Sequence, residues 1–236
     1  MNTTTTLNIS ASRKLKNFLF TVLKSKGVNA FLMTVAPNAK VIDIGCGNDS
    51  PFRYKSQRPD IHYTGLDIGD YNQQITPLEI ADQYVVVPPA DFAGAIEKFQ
   101  GQFDGVISSH NLEHCDDPDR VLSAMAQAVK PGGKLYLAFP CEASTGFPKR
   151  VGTLNFYDDS THRTLLNCQK VCTFLESEGY QIDFSISRYK PKALWFSGLL
   201  LEPLSVLSGK LMPFGTTWAF YGFESVIWAS KKQSKT

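Results

Sequence analysis

The chain has 236 residues, 43% apolar side chains and a formal net charge of +2, which suits one domain over 1–236 with a sizeable core and leaves little room for two. Lys and Arg number 24 against 22 acidic residues and form no long basic run, so a nucleic-acid partner is not expected. The five cysteines (Cys46, Cys115, Cys141, Cys168, Cys172) are odd in number and lack a CxxC pair, which points to reduced thiols and a cytoplasmic location.

Residues 1–10 are polar and Thr-rich, lack the pattern of a secretory signal, and read as a frayed end. Leu15, Phe18, Leu19, Val22 and Leu23 recur at helical spacing, so 10–26 is expected to be an amphipathic helix within an N-terminal helical segment, 1–36. Then come a short apolar run, 40–44, ending in Gly45-Cys46-Gly47, and a second, 62–67, ending in Asp67. Strand and helix continue to alternate: strand 83–87, helix 92–99, strand 103–108, helix 118–129, a Pro131-Gly132-Gly133 turn, and strand 134–139. A helix over 160–178 and strands at 181–187 and 225–230 complete seven strands. Such alternation predicts an α/β fold, a mostly parallel sheet covered on both faces.

Residues 190–222 exceed what a hairpin needs and are rich in Trp, Phe and Leu, so they read as an insertion between the last two strands. Extra core is the plain reading. A lid, an acceptor-site wall, a self-association surface and, more weakly, a membrane-surface role are the others. Glu202, Pro203, Lys210 and Pro213 interrupt the stretch, so no run of about 20 apolar residues is available to span a bilayer.

The glycine turn after a buried strand lets backbone come close to a ligand, and a carboxylate closing the next strand about twenty residues on can accept both hydroxyl hydrogens of a ribose. A nicotinamide-binding domain wants a third glycine where Ser50 stands. Here the chain resembles the class I S-adenosylmethionine-dependent methyltransferases. Asp43-Ile44-Gly45-Cys46-Gly47 is similar to their first motif and Gly65-Leu66-Asp67 to their acidic second. The run 103–109, Leu112-Glu113-His114, Asp117-Pro118 and Pro131-Gly132-Gly133 resemble the region around strands four and five. The likeness extends over 41–140.

What this resemblance implies is a Rossmann-like seven-stranded sheet with an antiparallel last strand. It also implies cofactor contacts from Asp43, Gly45, Cys46, Gly47, Asp67, Ile68, Ser108 and Ser109, with the ribose on Asp67 and the adenine against Ile68. Asp91 is the candidate for the adenine amino group, since Val87 leads into Pro88-Pro89 where an acid is common. Two departures stand out: Asp49 occupies the place of a third small residue, and Pro51 is expected to shorten or break the following helix.

Methyl transfer leaves the protein to orient the acceptor and remove its proton. His110, Glu113 and His114 follow strand four at spacings of three and four, and His162 follows strand five on the same side of the sheet. Neutral imidazoles with a carboxylate make a plausible divalent metal site, which is similar to the pattern of O-methyltransferases of the ubiquinone-biosynthesis and small-RNA groups, with His110 standing where those have an acid. Alternatively His110 or His162 is a general base. Or Glu113, His114, Asp158 and Asp159 simply start and cap helices. The expected activity is O-methylation of a small hydroxylated molecule such as a sugar. A cofactor-binding domain without turnover and a nicotinamide-dependent reductase are the alternatives.

Overall fold

The computed structural model describes residues 18–19 and 21–233. Of the helix expected over 10–26, residues 18–19 and 21–23 are helical and the rest lies outside the described residues. Helix α1 (Val28–Leu32) then leads into strand β1 (Lys40–Ile44). Strands β2 (His62–Asp67), β3 (Gln83–Val86), β4 (Phe103–Ser109), β5 (Val129–Pro140), β6 (Tyr180–Ile186) and β7 (Glu224–Lys231) complete one sheet in the order β3-β2-β1-β4-β5-β7-β6. Pairs from β3 through β5 are parallel, and β7 runs antiparallel between β5 and β6. The doubly covered parallel sheet expected from the alternation is the fold observed.

Both sheet faces are buried because side chains alternate along each strand. On one face Ile42, Ile44, Leu66, Leu135 and Leu137 pack under α3 (Phe92–Glu97), α4 (Pro118–Ala128) and α5 (Cys168–Ser177). On the other, Val41, Ile107, Tyr136 and Trp228 pack with Phe31 and Leu32 of α1 and with Tyr54 of α2 (Ser50–Gln57). The sheet reverses direction of strand order at β1, between β2 and β4, and the crevice beyond the carboxyl ends of these strands is where a ligand fits.

Several boundaries differ from expectation. Pro51 does not break α2. It sits in the first turn of the eight-residue helix, where a missing N–H leaves no bond unmade. Strand β5 runs through Pro131-Gly132-Gly133 instead of starting after them, and the three residues are absorbed by a register shift against β4, between the Phe103 and Gly105 pairings. The helix expected over 160–178 begins only at Cys168, capped by Asn167, whose side chain accepts from the Lys170 N–H at 2.8 Å. The insertion forms two helices, α6 (Lys192–Ser208) and α7 (Thr216–Tyr221).

Candidate active site

A cavity of about 980 Å³ opens beyond the carboxyl ends of β1, β2 and β4. Its floor is the glycine turn. Gly45 has φ +79° and its N–H donates to the Leu66 carbonyl at 2.9 Å. A Cβ there would lie 2.5 Å from the Asn111 side chain, so glycine is required by both backbone and space. Gly47 lines the cavity too, and the residue after next, Asp49, adopts a left-handed conformation that starts α2.

Two carboxylates face this turn. Asp43 is buried, and its Oδ2 accepts from Ser50 Oγ at 2.6 Å and Tyr63 Oη at 2.7 Å. Burial pushes its carboxyl up to about 7, and the two hydroxyl bonds only partly oppose this. Asp67, at the end of β2, is likewise pushed up by burial to about 6, although its Oδ1 accepts from the Ile68 N–H at 2.7 Å. Ile68 and Ser109 line the cavity. Cys46 and Ser108 do not, because their side chains point into packed surroundings: Cys46 is fully buried with its Sγ against Gly65, and Ser108 is buried beside Asn111. Asp91 is exposed at the start of α3 and outside the cavity wall, which Pro89, Ala90 and Phe92 form instead.

The histidines divide into two groups. His110 follows β4 with φ 54°, a strained conformation for a side-chain-bearing residue, fixed by its N–H bond to the Ala138 carbonyl. Its Nε2 lies 3.1 Å from Glu224 Oε1 and its Nδ1 3.2 Å from Glu113 Oε1, while its ring stacks on Phe223 and sits 5.0 Å from that of Trp218. Burial pulls its pKa down, but contacts with the two glutamates outweigh that and hold it at about 9. Glu224 is held near 2 against its burial by Lys24, at 3.2 Å, and by His110. Sequence reasoning missed Glu224. It is the first residue of β7, 114 positions from His110, and no local motif marks it.

Glu113, His114 and His162 form the second group, with one ligand atom from each within 4.8 Å of the others. Leu112–His114 is a single 3-10 turn, so His110 falls outside it and outside this cluster. Asp117 caps α4 by accepting from the Arg120 N–H at 3.0 Å. His162 is brought over because the N–H groups of Arg163 and Thr164 both donate to the Glu113 carbonyl, at 2.8 and 3.2 Å. Asp158 closes a capping box with Asn155 and accepts three backbone N–H bonds, so it is structural.

Hydrogen bonds fix the tautomers of both imidazoles. The His162 Nδ1 meets the Phe156 carbonyl at 2.7 Å, and since a carbonyl only accepts, the proton is on Nδ1. The Thr161 hydroxyl gives its one proton to Asp159 at 2.6 Å, so it accepts from His114 Nδ1 at 2.9 Å. In the neutral ring of each, Nε2 is therefore the acceptor nitrogen. Glu113 is fully buried and neither carboxylate oxygen has a hydrogen-bond partner, the His110 Nδ1 contact being close but poorly directed. A buried carboxylate without directed donors costs free energy unless cations meet it; the His110 ring meets Oε1, and Oε2 is left for a further cation. This donor set fits a divalent metal. His114 opens on the cavity, and Glu113 and His162 stand behind it.

A sheet in this order with a reversed β7, and a cavity over a glycine turn flanked by an acidic strand end, is the architecture of a class I methyltransferase. The chain belongs to the methyltransferase-domain family, which matches residues 12–183. Its family and fold are those of the S-adenosylmethionine-dependent methyltransferases. Among curated proteins it is similar to the ubiquinone biosynthesis O-methyltransferase of Pseudomonas aeruginosa, 35% identical over 101 residues. That match spans 42% of this chain and 43% of the relative, less than half of either.

Among solved structures it is similar to a SAM-dependent methyltransferase from Archaeoglobus fulgidus (TM-score 0.54, 18% identity, 93% of this chain and 94% of that one). It is similar also to phosphoethanolamine N-methyltransferase 2 of Haemonchus contortus (TM-score 0.55, 18% identity, 93% and 53%). At such identities the likeness is one of fold. The family match ends at residue 183, before α6, α7 and β7.

Proposed function

We propose that the chain methylates a hydroxyl oxygen of a small molecule, with a divalent cation held by Glu113, His114 and His162. The observation that carries this reading is the buried Glu113 carboxylate, which beyond the His110 contact at Oε1 has no partner and lies within 4.8 Å of a ring nitrogen of both His114 and His162. When bound, a divalent cation would lower the pKa of a nearby hydroxyl and orient it. S-adenosylmethionine supplies the methyl group on a sulfonium leaving group.

The remaining work belongs to the chain. Asp67 accepts from the ribose hydroxyls, Ile68 offers an apolar face to the adenine, and Asp43 receives the amino group beside Gly45 and Gly47. His110, held near 9, keeps its proton at neutral pH and therefore serves as a fixed positive charge between Glu113 and Glu224, not as a base. Among the histidines a free imidazole nitrogen is offered by His114, at the cavity edge. Trp218 of α7 walls the acceptor side, and Arg163 stands exposed at its mouth, paired with Asp116. The name of the Pseudomonas relative, an O-methyltransferase, agrees with an oxygen acceptor.

The test is S-adenosylhomocysteine formation from a panel of phenols, catechols, sugars and amines, using metal-stripped protein with Mg, Mn or Zn restored. Oxygen acceptors turned over only with metal, and loss of metal affinity in Glu113→Gln beyond the ~10–100-fold that a supporting partner contributes, are expected. Asp67→Ala should lose cofactor binding measured by calorimetry. Turnover of hydroxyl acceptors that chelation and Glu113→Gln leave unchanged would remove the cation, and turnover of amines alone would remove the oxygen acceptor. Cofactor binding with no acceptor turned over would favour a binding domain.

A further inference from the structure

Helix α6 is apolar on the side that faces away from the protein. Its inner side packs on α7 so closely that a Cβ at Gly198 would lie 2.3 Å from the Thr216 carbonyl oxygen. Its outer side carries Phe196, Leu199, Leu200, Leu204, Val206 and Leu207, all exposed, with Leu200 at 78% and Leu207 at 84%. Single exposed leucines are ordinary, whereas six large apolar residues on one 17-residue helix form a patch of the kind that marks an interaction surface. Val151, 69% exposed, extends it, since its N–H bonds the Gly209 carbonyl at the end of the helix.

The charges around this patch decide what it meets. Between Tyr189 and Phe223 the charged residues are Lys190, Lys192, Glu202 and Lys210. Glu202 is turned inward, accepting from Tyr221 Oη at 2.6 Å and lying 3.6 Å from Arg150, so the exposed charges are the three lysines. Lys192 and Lys210 bracket the apolar face, and Lys149 is exposed beside Arg150. A second copy of this chain docked face to face would bring the lysines of the two copies against one another. A helix of 17 residues is about 25 Å long, and among the described residues no helix is long and apolar enough to cross a membrane.

We propose that the α6–α7 hairpin lies on an anionic lipid surface, with the leucine face in the acyl boundary and the lysines at the headgroups. Trp218 of the same hairpin lines the cavity, so the docked face adjoins the site. The inference does not rest on the acceptor or the metal.

Sedimentation of the full chain with vesicles of phosphatidylcholine, and of phosphatidylcholine with phosphatidylglycerol, tests it, alongside light scattering for oligomeric state. The protein is expected to pellet with the anionic vesicles. The pair Leu200→Glu and Leu207→Glu should weaken this by at least ~10-fold. The pair Lys192→Gln and Lys210→Gln should weaken it by about 5-fold per lysine. Both pairs should bind S-adenosylhomocysteine as the parent does, which establishes that they fold. Protein left in the supernatant with both vesicle types, or pelleting unchanged by the glutamates, would overturn the proposal. So would a dimer that the glutamates split without any vesicle binding.

Discussion

Asp43→Asn is the perturbation whose size the structure sets most directly. Burial raises the Asp43 carboxyl from its ordinary 3.8 to about 7 even with Ser50 and Tyr63 donating to it, and the charge of Asp67 adds to the rise. At 1.36 kcal/mol for each pH unit, the folded protein disfavours the ionised form by about 4 kcal/mol relative to the unfolded chain. Between the two pKa values the folded state binds more protons, so stability falls as pH rises from about 4 to about 7, and the penalty is complete above that. Asparagine keeps an oxygen for both hydroxyls and carries no charge. Urea unfolding from about pH 5 to about pH 8 should therefore show the variant gaining on the parent as pH rises, by about 2–4 kcal/mol at the alkaline end, with Asp67 supplying the slope that remains below its value of about 6. A cofactor ammonium beside Asp43 would draw its pKa down again. Binding to the parent near neutral pH should then release a proton, seen as heat that depends on the buffer, and binding to the variant should not. Parallel stability curves for the two proteins across the pH range would refute the reasoning.

Two glycines give further tests. Gly45→Ala places a Cβ at φ +79° and 2.5 Å from Asn111, so a loss of about 2–4 kcal/mol in unfolding free energy and at least ~10-fold weaker cofactor binding are expected from melting and calorimetry. Unchanged affinity would put the turn outside the cofactor site. Gly198→Ala would stabilise an open helix by about 1 kcal/mol, but here the methyl meets the Thr216 carbonyl at 2.3 Å. A net loss of about 1–3 kcal/mol by overpacking should appear in urea unfolding, and a gain would show that α6 and α7 do not pack as described.

Strands were legible where burial is symmetrical. The runs at β1 and β2 are short, apolar and closed by glycine or carboxylate, and their bounds match the expectation residue for residue. Turns and caps were legible in part: Asp117 before Pro118 caps α4 as its residue type suggests, while Pro51 reads equally as a breaker and as a helix start until its place in the first turn is known. The expected cofactor residues that line the cavity come from local motifs. Cys46 and Ser108 stand in the same motifs but outside the cavity lining: Ser108 alternates with Ser109 along β4, and Cys46, in the loop after β1, packs its Sγ against Gly65. Glu224 and Lys24 lie 200 positions apart in sequence and meet only in the folded chain.

The largest error of the helical pattern falls on 160–167, and that error has a physical meaning. Had the segment continued α5 backwards, its N–H groups would have been spent on helical bonds four residues away. Instead those of Arg163 and Thr164 go to the Glu113 carbonyl, which draws His162 alongside Glu113 and His114. The side chains that compete with helix, Asp159 and Thr161, are the same ones that set the His114 tautomer. The polar residues that defeat the helix are therefore the ones that orient the imidazoles, and a sequence rule that reads them as caps identifies their chemistry while assigning it to the wrong partner.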